Sequence, residues 1–403
     1  MTPRPFTIEV AENVLADLRA RLGRVRWPDE PPDAGWRYGT SVAYMKELVE
    51  YWRARYDWRA HEARLNRLSH FTADLDGIDV HFIHEPGVGP APMPLLLSHG
   101  WPGSIVEFEP ILPMLTDPAR FGGDPADAFT VVAPSLPGYG FSFRPNQPRL
   151  GVEEIADVFA RLMTDVLGYR RFAAQGGDWG AFITSRLGLQ YPERLAGIHL
   201  NLLAVRRDPA LPDKPTDEEQ RYIEQLQHWQ REETGYQWIQ GTRPQTLAYG
   251  LSDSPVGLAA WIVEKFRTWS DCDGEVERRF SKDTLLTNVT LYWVTGAINS
   301  SFWPYYARFH RPWPIPTASA SRYPRPTPRF PARSCCRPGP GPSARTTSSG
   351  GRSCPPVVTS PPSKSPGRWP PTSGPSSALF ARRGRPAGRP RGPEPGESGR
   401  ASR

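Results

Sequence analysis

The stretch Arg171-Phe172-Ala173-Ala174-Gln175-Gly176-Gly177-Asp178-Trp179-Gly180 decides the fold. Residues 171–175 read as a short buried strand, and a helix follows near 180–190. Between them lies a glycine-rich turn with one acid at its centre. Small residues two places either side of Asp178 permit a sharp strand-to-helix turn, the geometry that presents a nucleophile. The N-terminus of the following helix favours an ionised carboxylate. Such a group displaces well at strained or activated carbon, giving an alkyl ester that water can cleave. A plain βα turn with an aspartate cap would carry the same letters.

Outward from this turn the pattern repeats. Residues 94–98 (PLLLS), 129–134 (FTVVAP) and 195–201 (LAGIHLN) are short apolar runs bounded by turn residues. Helix-like segments lie near 105–116 and 151–167. Alternation of this kind predicts an α/β fold with a mostly parallel, doubly wound sheet. Upstream, 8–26 and 41–60 have helical spacing, with Ser41 as a cap and Trp52, Tyr56 and Trp58 on one bulky face. FTADLDGIDVHFIHE (71–85) alternates across Asp76-Gly77, a hairpin signal. From 204 to 310 the chain is helical and aromatic, an insertion placed over the site at the sheet's C-terminal edge. The units expected are an N-terminal segment with its hairpin (1–92), a core (93–203), a helical lid (204–312) and a tail (313–403).

Two further loops end strands. His99-Gly100-Trp101-Pro102-Gly103-Ser104 follows 94–98, and Leu136-Pro137-Gly138-Tyr139-Gly140-Phe141-Ser142 follows 129–134. In this fold the first loop lends a backbone N–H to an oxyanion hole, paired with the N–H after the nucleophile. The expected donors are Trp101 and Trp179. His99 is expected to position the loop rather than act as a base.

Composition breaks sharply near residue 311. Residues 311–403 hold 22 of the 47 prolines, 16 Arg, one Lys and two acids, Glu394 and Glu397. That segment carries +15 of a whole-chain charge of +7, leaving −8 on residues 1–310. The basic character belongs to the tail, and the mildly acidic body offers no nucleic-acid footprint. Ile, Leu, Val, Met and Phe number six across 311–403, too few to offset ordering entropy, so the tail is expected to be disordered. Of four cysteines only Cys272 lies in the body, which suits a reducing compartment. No run approaches the roughly 18 apolar residues of a membrane span, and the N-terminus lacks a signal-peptide layout. A soluble, cytoplasmic protein is expected.

In combination, HGWPGS, LPGYGFS and GGDWG resemble the epoxide hydrolases of the α/β-hydrolase superfamily. The N-terminal helical segment, DSPVGLAAWIVEKF (253–266) and LLTNVTLYWVTGAINSS (285–301) narrow the resemblance to the microsomal and juvenile-hormone branch, over roughly residues 4–316. The membrane anchor of the mammalian enzymes is not expected. The resemblance implies that Asp178 opens the epoxide and forms a glycol ester. It implies two lid tyrosines that donate to the leaving oxygen, Tyr236 and Tyr305, with Tyr306 an adjacent competitor. The donors are needed because an alkoxide leaves poorly unless protonated. It implies no metal or organic cofactor, only water and a small apolar epoxide, with Trp261, Trp293, Phe302 and Trp303 as apolar lid aromatics. It also implies a histidine, oriented by Glu or Asp, that activates water against the ester.

That histidine is missing from the expected place. All eight histidines lie at or before His310, which closes the lid. Neither general base nor partner acid follows. An off-frame reading of a GC-rich gene is the expected origin of the tail, over a genuine disordered Pro/Arg-rich extension. Under available synonymous codons, shifting the frame by one base from about residue 316–320 turns Val357-Val358-Thr359-Ser360 into G-G-H-F, with A-A-L-E-E-P permitted beyond. Pro331-Ala332-Arg333-Ser334 likewise yields R-E-I after F-P. These resemble the family's base-bearing and acid-bearing segments. The chain as written is then expected to form the ester and stall, and to expose a sheet edge. Two other readings compete: another Asp-nucleophile hydrolase of the haloalkane dehalogenase kind, and a non-enzymatic protein whose Arg-rich tail binds partners or RNA.

Overall fold

A computed structural model describes residues 2–202 and 215–311. The tail expectations, disorder and off-frame reading alike, lie outside these residues. Seven strands form one mixed sheet: β1 (Arg4–Pro5), β2 (His70–Leu75), β3 (Ile78–Glu85), β4 (Met93–Ser98), β5 (Phe129–Pro134), β6 (Phe172–Gly176) and β7 (Leu195–Leu200). Their order is β1-β2-β3-β5-β4-β6-β7. β5, β4, β6 and β7 run parallel to one another, whereas β1, β2 and β3 join them antiparallel. The hairpin therefore belongs to the same sheet as the core strands. Asp76 and Gly77 both take positive φ, 57° and 77°, the two-residue turn whose twist matches its strands.

Side-chain alternation sends each strand into two cores. Leu96 and Val132 pack on one face with Phe82, Phe159, Ile183 and Leu187. Their neighbours Leu95, Leu97, Val131 and Ala133 pack on the other with Ile8, Leu15, Trp58 and Leu65. The N-terminal helices are α1 (Glu12–Leu22), α2 (Val42–Ala54) and α3 (Trp58–Leu65). The expected helix over 41–60 is thus two. Ser41 caps α2, its Oγ accepting from the Tyr44 N–H at 3.4 Å, and Asp57 caps α3 after a break at 55–57. The 105–116 segment is a 3₁₀ turn, Ile105–Phe108, then a short α4 (Leu112–Thr116). α5 (Val152–Arg161) and α6 (Trp179–Gln190) cover the first face.

The regular elements of residues 217–310 are all helices, with one long connection at 269–281: α7 (Asp217–Glu232), α8 (Gly235–Thr242), α9 (Pro244–Asp253), α10 (Pro255–Thr268), α11 (Lys282–Thr295), α12 (Ile298–Ser301) and α13 (Trp303–His310). Among the described residues β7 pairs on one side only, and its Ile198 is 40% exposed. No described helix is long and apolar enough to cross a membrane. Cys272 is a free, buried thiol.

Candidate active site

Asp178 sits between β6 and α6 with φ 49° and ψ −124°, a conformation rare for a residue bearing a Cβ. The surrounding glycines hold it there. A Cβ on Gly176 would lie 2.0 Å from the Gly180 carbonyl oxygen, and one on Gly180 would lie 1.9 Å from that of Ser98. A Cβ on Gly100 would lie 2.3 Å from Asp178 Oδ1. The turn and the loop after β4 thus approach each other with no room for side chains, which is why both motifs need glycine.

The approach brings the two expected donors to one carboxylate. The Trp101 N–H donates to Asp178 Oδ1 at 2.9 Å, and the Trp179 N–H also binds the carboxylate. Burial pushes the Asp178 carboxyl up to about 6, against the pull of these two donors. The group is therefore mostly ionised at neutral pH. His99 is buried and neutral, its pKa lowered to about 4 by desolvation. Its Nε2 accepts from the Leu136 N–H at 3.2 Å, and its Nδ1 lies 3.2 Å from the Gly100 carbonyl oxygen. It ties the two strand-end loops together, as expected of a positioning residue.

Aromatic rings roof the carboxylate. Tyr236 stacks on Trp101 with centroids 5.4 Å apart and an 11° tilt. Tyr305 meets Trp179 edge-on at 4.7 Å and Tyr236 at 5.7 Å. Burial holds the Tyr305 phenol well above the usual tyrosine range, so it keeps its proton. Its hydroxyl has no formed hydrogen bond among the described residues; its interaction with the Trp179 side chain falls short of one. A buried, unsatisfied donor of this kind is available to a ligand oxygen. Tyr236 Oη accepts from Gln237 Nε2 at 3.0 Å. Tyr306 points elsewhere: it stacks on His310 at 3.9 Å and on Trp303 at 4.8 Å. His310 is exposed, with Nδ1 2.8 Å from the Tyr306 carbonyl oxygen.

The expected lid aromatics divide. Phe302 reaches the site, 6.2 Å from Trp101. Trp303 lies with Tyr306, Trp293 lies under the Arg21 guanidinium, and Trp261 donates to Gln240 Oε1 at 2.9 Å. These three are packing residues by position, because the helical faces that carry them turn away from Trp101. Trp269 takes their place, 5.1 Å from Tyr236 and 6.4 Å from Trp101.

Glu107 escaped the sequence reading too. Its carboxylate accepts the Ser104 N–H, and its carboxyl is pushed upward by surrounding protein and then by the Asp178 charge. The side chain is open to solvent, which moderates that shift. The Ser104-x-x-Glu107 spacing of a capping box was the available signal.

Two sequence profiles match the chain, one for the epoxide hydrolase N terminus over residues 3–108 and one for the alpha/beta hydrolase fold over residues 93–278. A Stigmatella aurantiaca protein named as an epoxide hydrolase is 46% identical over 297 residues, 74% of this chain and 67% of its own length. Epoxide hydrolase 1 of Oryctolagus cuniculus is 38% identical over 323 residues, covering 74% of this chain and 71% of that protein. Among solved structures, juvenile hormone epoxide hydrolase from the silkworm Bombyx mori superposes with a TM-score of 0.64 at 35% identity, over 76% of each chain.

Proposed function

This chain belongs to the epoxide hydrolase family, whose reaction turns an epoxide and water into a vicinal diol, and from that premise we propose which of its residues do the work. Asp178 attacks one epoxide carbon through its outer oxygen. The C–O bond breaks, and the alkoxide takes a proton from Tyr305, assisted by Tyr236. Trp101 holds Oδ1 and Trp179 holds the same carboxylate throughout. Water attack on the ester would place negative charge on that same oxygen, so the two N–H groups then serve as its oxyanion hole. The observation that carries the reading is the buried carboxylate met by both backbone donors on a glycine-locked turn, with Trp101 on Oδ1.

Substrate is proposed to be a small apolar epoxide, bound under the wall of Trp101, Trp269, Phe302 and the two tyrosines. Ring faces and one buried hydroxyl suit an apolar body with a single acceptor oxygen.

The second half-reaction is proposed to stall. Residues 311–403 contain no histidine. The described histidines nearest the site are also unsuited: His99 is neutral and engaged on both ring nitrogens, and His310 lies outward. Counting diol released from styrene oxide tests this. The chain should consume no more than about one equivalent of epoxide per Asp178 and release essentially no diol, because nothing hydrolyses the ester. Many equivalents, abolished by D178N, would show a working base. Resequencing codons 310–325 decides the tail: one base gained or lost restores the base-bearing reading, whereas an intact frame leaves a hydrolase without its base.

A further inference from the structure

We propose that Asn288, on the lid helix α11, is a positioning residue for ester formation. Its amide clamps the loop that carries the Trp101 N–H. The inference rests on the reading of Asp178 as nucleophile.

α11 is buried along this stretch, with Leu285, Leu286, Val289 and Leu291 beside the two threonines Thr287 and Thr290. Asn288 is 3% exposed in their midst. An amide at such a depth is costly unless every polar atom is matched. Both ends are matched, and both by the same loop. Nδ2 donates to the Pro102 carbonyl oxygen at 2.8 Å, and Oδ1 accepts from Ser104 Oγ at 2.7 Å. One helical turn later the Tyr292 hydroxyl donates to the Gly103 carbonyl oxygen at 2.8 Å. Residues 102, 103 and 104 are thus each bound from one face of one helix, as i and i+4 spacing allows.

The other end of the loop is fixed by the sheet, where Ser98 pairs with Gly176 at the end of β4 and β6. Trp101 lies between these two anchors. Without the Asn288 amide the far side of the loop keeps only the Tyr292 bond to Gly103, and the Trp101 N–H is less firmly held at the position that meets Asp178 Oδ1. Displacement of a preorganised donor costs rate at the reacting centre rather than affinity for an apolar substrate. A purely structural pin would lower stability and leave the chemistry of each folded molecule unchanged.

The test uses the full chain, N288L and S104A. Leucine keeps the volume and removes both hydrogen bonds, whereas S104A removes one. Single-turnover ester formation with styrene oxide is followed by intact mass over a range of epoxide concentrations, with folding checked by circular dichroism. N288L should lose at least about tenfold in the saturating rate, with the half-saturating concentration moving less than about threefold. S104A should move the same way by less. A folded N288L with the parent saturating rate, or a loss confined to half-saturation, overturns the proposal. Should N288L fail to fold, S104A decides by the same split.

Should the parent chain form no ester, the nucleophile reading fails by itself. The clamp is then read by NMR on protein labelled with 15N-tryptophan, with Trp101 assigned through W101F. Its amide proton, downfield through the carboxylate bond, should move upfield in N288L. An unmoved signal overturns the proposal.

Discussion

Replacing Gly180 by alanine should separate chemistry from folding in a measurable way. The added Cβ would stand 1.9 Å from the Ser98 carbonyl oxygen, 2.5 Å from the Ser98 carbonyl carbon and 2.8 Å from the His99 carbonyl oxygen. All three are backbone atoms, so no side chain can swing aside. Ordinary contact begins at 3.4 Å, and reaching it requires α6 and the end of β4 to part by 1.5 Å. Overpacking of this kind costs about 3 kcal/mol, the upper end of its usual range. For a body of this size that corresponds to a fall in Tm of roughly 5 °C. The same shift carries Asp178 and the Trp179 N–H away from Trp101, whose bond to Oδ1 spans 2.9 Å. Ester formation should therefore fall by at least about a hundredfold, the loss of one oxyanion donor. Gly177→Ala is the internal control. Its Cβ would meet Asn201 at 3.7 Å, an ordinary contact. Melting by circular dichroism and single-turnover mass measurements read both variants. The reasoning is refuted if G180A melts and reacts like the parent, or if G177A is equally damaging.

Three further outcomes follow from the same geometry. Ester formation should decline as pH falls through about 6, because Asp178 there takes up the proton that burial favours; a rate flat to well below that pH would contradict the stated environment. Tyr305→Phe should slow ester formation about a hundredfold or more, whereas Tyr306→Phe should leave it within about twofold, as single-turnover rates will show. A buried chain of polar groups should make the fold acid-sensitive. His70 Nε2 lies 2.8 Å from the Leu65 carbonyl oxygen, His70 Nδ1 2.9 Å from His81 Nε2, and His81 Nδ1 3.0 Å from Ser135 Oγ. Burial lowers both histidine pKa values, so their contribution is complete above the unfolded value of about 6.5 and is lost as pH falls below it. The raised Asp178 carboxyl works in the opposite sense, so the urea midpoint against pH is best taken in D178N. A midpoint no lower at acid than at neutral pH would contradict the assignment.

Local signals made much of this legible. Strand runs 94–98 and 129–134 were bounded by turn chemistry, and Asp76-Gly77 has only one good use between alternating residues. Glycine at 176 and 180 spoke for a sharp turn at Asp178. What escaped depended on tertiary direction. Trp261, Trp293 and Trp303 are as aromatic as Trp269, and only the rotation of their helices decides which rings meet Trp101. Tyr305 and Tyr306 differ by one position, and helix α13 turns one to Trp179 and the other to His310. The division of 41–60 into two helices hinged on Asp57, a capping residue hidden inside an apolar pattern.

The central claim is that Asp178 opens an epoxide and keeps the ester. Incubating the full chain with styrene oxide, followed by intact mass and peptide mapping, tests it most directly. The account predicts one adduct per chain, equal in mass to the whole epoxide because addition loses nothing. It should lie on the peptide containing Asp178, persist, and be absent in D178N. An adduct on another residue, or no adduct and no diol, would contradict it.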